Sequence, residues 1–114
     1  MTTLEKYKKN LQFLISDVEH KEVKEISIKD KDNIFVVYEN GDIDIKDIYN
    51  FIIQDVFFWV YEQGYYVTMN YAPKIICLYP KSVETHEFSP FSKGKDLIEA
   101  TINLYKWIKS NGKD

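Results

Sequence analysis

Arginine is missing from this 114-residue chain, and all fifteen basic residues are lysines. That absence removes the planar fork that grips guanine edges, phosphates and protein hot spots in pairs of hydrogen bonds. With a formal net charge of −3, a sequence-reading nucleic-acid binder is not expected. A chain rich in Lys, Ile, Asn and Tyr is also what an AT-rich coding sequence yields. Cysteine is nearly absent. The single Cys77 cannot form an internal disulfide, which fits a reducing compartment. No uncharged apolar run approaches the ~18 residues of a membrane span, and the longest, VFFWVY at 56–61, is far shorter. The start, MTTLEKYKKN, has no apolar signal-peptide region. A cytoplasmic protein without membrane contact is expected.

Chemistry is thin as well. With two histidines, His20 and His86, and one cysteine, neither a metal site nor a cofactor is expected. Asp30 and Asp32 begin like a calcium loop. Phe35 then stands where that loop needs glycine, and Gly41 stands where it needs glutamate. The patterns of lipases, zinc proteases and dinucleotide binders do not occur. One nucleophile arrangement is conceivable, Cys77 with His86 nine residues later. A mid-strand cysteine in IICLY usually serves as a small buried hydrophobe instead. At 91–96, FSKGKD opens a helix and makes Ser92, Lys93, Gly94 and Lys95 a candidate anion site. Capping with solvated lysines is the plainer reading there.

What is present in excess is aromatic: 16% of the chain, with seven rings in the seventeen residues DVFFWVYEQGYYVTMNY at 55–71. The period of the hydrophobic residues sets the surrounding elements. Leu4, Tyr7, Leu11, Leu14, Ile15 and Val18 form one stripe of a helix over 3–19, capped by Thr2 or Thr3 and leaving Phe13 exposed. Three strands follow as a meander. The first carries Ile26 and Ile28. The second, Ile34 to Tyr38, is apolar throughout and predicted to be covered on both faces. The third has Ile43 and Ile45 turned inward after a two-residue Asn40-Gly41 turn. A helix over 47–63 ends at Gly64. A hairpin through Ala72-Pro73-Lys74 comes next, then a loop over 80–93 and a last helix ended by Asn111-Gly112. In that helix Leu97, Thr101, Leu104, Tyr105 and Ile108 share a face. The order α-βββ-α-ββ-α predicts a single α+β domain over 1–114, with helices packed on one antiparallel sheet.

On a helical wheel, Ile48, Tyr49, Ile52, Ile53, Val56, Trp59 and Val60 form the core arc of helix 47–63. Phe51, Phe58 and Tyr61 fall among polar residues, with Phe51 and Phe58 seven apart and so on one line. With Asp55 and Glu62 they make a candidate interaction surface, either for a protein partner or for self-association around a small-ligand pocket. Tyr65, Tyr71 and Tyr79 could share a sheet face able to stack on bases, though lysines nearby are few.

The stretch Trp59-Val60-Tyr61-Glu62-Gln63, then a hairpin, a loop and Lys95-Asp96-Leu97-Ile98-Glu99-Ala100, resembles a group of small phage- and prophage-encoded proteins over the C-terminal half. The basic residues usual after that tryptophan are replaced here by Val60, Tyr61, Glu62 and Gln63. The resemblance implies a mobile-element origin and supplies no activity. A small, non-enzymatic protein-binding module is therefore expected, for example an inhibitor of a host or defence protein, or an immunity-type protein.

Overall fold

A computed structural model describes residues 2–111. The first helical stripe forms α1 (Thr3–Lys6) and α2 (Lys8–Glu19), joined at Tyr7. The Thr2 hydroxyl caps it by accepting from the Glu5 amide. Leu4, Leu11, Leu14 and Ile15 are buried, and Phe13 is exposed. The meander is β1 (Val23–Ile28), β2 (Asn33–Tyr38) and β3 (Ile43–Asp47), a three-stranded antiparallel sheet in that order. The β2–β3 loop takes three residues instead of two. Tyr38 and Asp42 close it, and Gly41, at φ 93°, adopts the left-handed conformation that such loops require at their last position.

Two expectations for this sheet change. β2 buries only one face, through Ile34, Val36 and Tyr38, while Phe35 and Val37 are half-covered. On β3 the alternation is right and its phase is reversed: Ile43 and Ile45 are exposed. Lys46 turns inward instead. Its ammonium pairs with Glu19 and Asp44 and lies 4.8 Å from the centre of the Phe51 ring. A buried charge needs such partners, and meeting them fixes the phase of the strand.

Asp47 caps the next helix, its carboxylate accepting from the Tyr49 and Asn50 amides. The helix runs as α3 (Ile48–Asn50), a π-helical segment Phe51–Val56, and α4 (Phe57–Glu62), ending at Gly64 with φ 103°. Each residue of an i→i+5 turn advances less around the axis than the ~100° of an α-helix. Phe51 therefore no longer lines up with Phe58; it rotates into the core. Ile53, expected inside, rotates out and is exposed.

β4 (Tyr65–Ala72), β5 (Ile75–Ser82) and β6 (Ser92–Gly94) form a second antiparallel sheet, where one sheet was expected for the whole chain. β5 continues through Pro80 into residues expected to be loop. The bonds Val83 N–H to Gly64 and Ser82 N–H to Glu87 fix which way each β5 amide points. Pro80 occupies a position whose nitrogen faces away from β4, so its missing N–H interrupts no bond of the β4–β5 ladder. The last helix, α5 (Leu97–Asn111), buries residues on more than one side, between β5 and β6 and the α2–α3 side. All five residues expected on its inner face are buried. Gly112 lies outside the described residues. The architecture is α+β in the expected order, with one continuous apolar core from Leu4 to Ile108.

Candidate functional site

The five residues of the expected surface separate. Phe51 belongs to the core, 4% exposed beneath Lys46. Asp55, Phe58, Tyr61 and Glu62 are exposed. From Phe58 a chain of rings continues onto the second sheet. The Phe58 and Tyr61 centroids are 6.4 Å apart, and Tyr61 lies 5.4 Å from Tyr66 on β4. Tyr66 sits opposite Lys81 in the register, and the Lys81 ammonium lies 5.4 Å from the centre of the Phe88 ring.

There the surface deepens into a cleft of about 570 Å³. Its floor is Thr68, Asn70 and Tyr79 of the outer sheet face, and its wall is the loop Phe88-Ser89-Pro90-Phe91. Tyr79 and Phe91 stack at 5.4 Å. The loop is held in place by backbone bonds from Ser89 N–H to the Pro80 carbonyl and from Ser82 N–H to that of Glu87. Phe88 and Phe91 are 62% and 50% exposed on a loop whose backbone is tied to β5. Exposed rings on a tethered backbone, beside hydroxyl and amide groups, offer apolar contact with a few hydrogen bonds to set orientation.

Strand parity corrects the expected tyrosine face. Tyr65 and Tyr71 lie on the inner face of β4, whereas Tyr79 pairs with Thr68 on the outer one. Tyr65 packs edge-on against Trp107 at 5.2 Å. Cys77 and His86 are not brought together. The His86 amide is tied to Ser82, five residues past Cys77 and about 17 Å further along the strand at ~3.3 Å per residue.

The candidate anion site is filled by the chain's own acids. Asp96 accepts from the Glu99 amide, and Glu99 accepts from the Lys95 amide. Glu99 also takes the Tyr7 hydroxyl, and Asp96 takes that of Thr3 at 2.5 Å, so these carboxylates tie α1 to α5. Tyr7 holds the Glu99 carboxyl below its usual pKa, and the same bond pushes the phenol up to about 12. Ser92 is buried in β6, and Lys93 and Lys95 point to solvent. Gly94 is needed for packing: a Cβ there would come within 2.8 Å of the Glu99 carbonyl carbon and closer still to the Ala100 amide.

A second cavity, of about 470 Å³, is bordered by Asp17, His20, Trp59 and Lys109. Its acid already has partners, since Asp17 accepts from Tyr105 at 2.5 Å and pairs with Lys109 at 3.3 Å. That bond and burial raise the Tyr105 pKa, with burial the larger cause. Among the described residues no group of three or more His, Cys, Asp or Glu could hold a metal, and no helix is long and apolar enough to cross a membrane.

Sequence reasoning passed over Tyr66, Thr68, Asn70, Phe88, Pro90 and Phe91. The available signal was EFSPFS at 87–92, two rings in an otherwise polar, proline-containing loop. Comparisons with protein-family models, with curated proteins and with solved structures find no match for this chain.

Proposed function

We propose that this chain is a non-enzymatic binding protein whose recognition surface is the aromatic strip from Phe58 and Tyr61 across Tyr66 to the Tyr79–Phe88–Phe91 cleft. Its partner is another protein, engaged through an extended apolar segment. The observation that carries this reading is the exposure of Phe88 and Phe91, on a loop tied to β5, over a cleft floored by Thr68, Asn70 and Tyr79. Aromatic side chains are enriched at protein interfaces, and few dominate the binding energy. Aromatic-lined grooves are also a recurring means of holding proline-containing peptides in extended form. Small size and the likeness of the C-terminal half to phage- and prophage-encoded proteins direct the search to host or defence proteins, with an inhibitor or immunity-type role.

Selection from a random peptide display library on the intact protein tests this. Peptides enriched on the wild type should lose at least ten-fold in affinity for Phe88→Ala. Failure to enrich any peptide, or equal affinity for wild type and variant, would remove the proposal.

A further inference from the structure

The four strand edges of the two sheets are finished differently. On β1, the Gln12 amide donates to the carbonyls of Val23 and Lys24, Ser16 accepts from the Val23 amide, and a bulge separates Val23 from Glu25. β3 is short and carries Asp44 and Lys46. β6 has three residues, and Asn103 donates to its Lys93 carbonyl at 2.8 Å. Charge, bulges, brevity and covering groups are the usual means of keeping an edge from pairing with another chain.

β4 has none of these. It runs for eight residues, YYVTMNYA, with no charge, no proline and no bulge, and it forms one edge of its sheet. The bond from the Val83 amide to Gly64 sets the parity of the β4–β5 ladder, so the backbone groups of Tyr65, Val67, Met69 and Tyr71 face away from β5. Among the described residues nothing bonds to them.

We infer that this edge pairs with β4 of a second copy of the chain, antiparallel and two-fold symmetric about Thr68. The register follows from the sequence of the strand. Centred on Thr68, every residue whose backbone faces the open edge meets another: Tyr65 with Tyr71 of the second copy, and Val67 with its Met69. On the outer face Tyr66 meets Asn70, and Thr68 meets itself. These are aromatic, apolar and hydroxyl pairs of the kinds that stabilise adjacent strands, and no like charges oppose. Shifting the centre to the next edge-facing residue leaves Tyr65 or Tyr71 without a partner. The pairing also covers Tyr71, which stands 72% exposed in the single chain. Such a contact is isologous and closes at two copies. The two sheets become one of six strands, and the two clefts adjoin across the axis. The inference stands on the backbone of β4 and is independent of what the cleft binds.

Solution mass by light scattering, over a range of concentrations, is the test. The wild type should reach twice the 13.6 kDa of one chain. Thr68→Lys and Thr68→Glu each set like charges face to face and should remain at the single mass with unchanged circular dichroism. An equimolar mixture of the two should regain the doubled mass. A wild type that stays single at every concentration, a dimer indifferent to both substitutions, or a mixture that fails to reassociate would each overturn the pairing. Should the variants misfold, amide exchange in the wild type decides: protection of Val67 and Met69 is expected, and rapid exchange of both contradicts it.

Discussion

The two sheets are similar in size and differ in finish. The first turns Ile34, Val36 and Tyr38 onto the core, and its outer face shows an apolar patch in which the exposed Ile43 and Ile45 lie opposite the half-covered Val37 and Phe35. The second contributes one fully buried side chain, Leu78, to the core. Its outer face shows rings, a cleft and a strand edge without protection. Exposed apolar area alone does not distinguish them. The difference lies in shape and chemistry: aromatic rings with polar groups beside them around a cleft on one sheet, and on the other an apolar patch of Ile43 and Ile45 opposite Val37 and Phe35. On the proposed reading the first sheet is scaffold, and the second is the surface offered to partners.

Substitutions can break or sharpen that contrast. The largest effect is expected in the shared core, between α4 and α5. Trp59→Ala, removing a ring 5.7 Å from Tyr105, should cost about 3–5 kcal/mol in urea unfolding. Its neighbour Phe58→Lys should stay within about 0.5 kcal/mol, and equal losses would place Phe58 in the core. Gly94→Ala comes next. It wedges β6 away from α5 and should cost about 3 kcal/mol, seen as a lowered urea midpoint with the second sheet exchanging first.

Tyr7→Phe should cost about 1 kcal/mol near neutrality by removing the hydroxyl that Glu99 accepts. The pH dependence has a definite sign. Because the folded Glu99 pKa lies below its ordinary 4.5, its stabilisation is complete above that value and fades as pH falls through the depressed one. Because Tyr7 is raised from 10.0 to about 12, its share is complete below 10 and fades as pH climbs between the two. The difference between wild type and Tyr7→Phe in urea midpoint should therefore be widest from about pH 5 to 9. A difference that does not change with pH would assign the loss to packing. The smallest effect is a gain. Thr101 Oγ1 is buried without a hydrogen-bond partner, so Thr101→Val should add about 1 kcal/mol and raise Tm by about 4 °C. No gain would mean that the hydroxyl is satisfied in solution.

Much of this fold was legible because hydrophobic period and turn residues act locally. The stripe of α2, the inner face of α5 and the Gly64 stop all follow from spacing alone. The failures have other causes: tertiary partners, or a helical turn that leaves no mark in the pattern. Lys46 reversed the phase of β3 because Glu19 lies under it, 27 residues away in sequence. The π turn moved Phe51 inward and Ile53 outward, and no composition rule marks such a turn. Gly94 reads in sequence as part of a candidate anion site, whereas its role is to let α5 pack closely against β6. Of the proposed strip, the exposure of Phe58 and Tyr61 was legible from the helical wheel. The cleft was not, because it needs strand parity on β4 and β5 together with a loop folded back over them.

The contrast between the sheets is tested most directly by measuring the affinity of display-selected peptides for three proteins in parallel: wild type, Phe88→Ala and Ile45→Ala. Both substitutions remove an exposed apolar side chain, one from the first sheet and one from the loop over the second. A loss of ten-fold or more for Phe88→Ala with Ile45→Ala unchanged is the expected result. A loss confined to Ile45→Ala would make the first sheet the binding face and contradict the assignment.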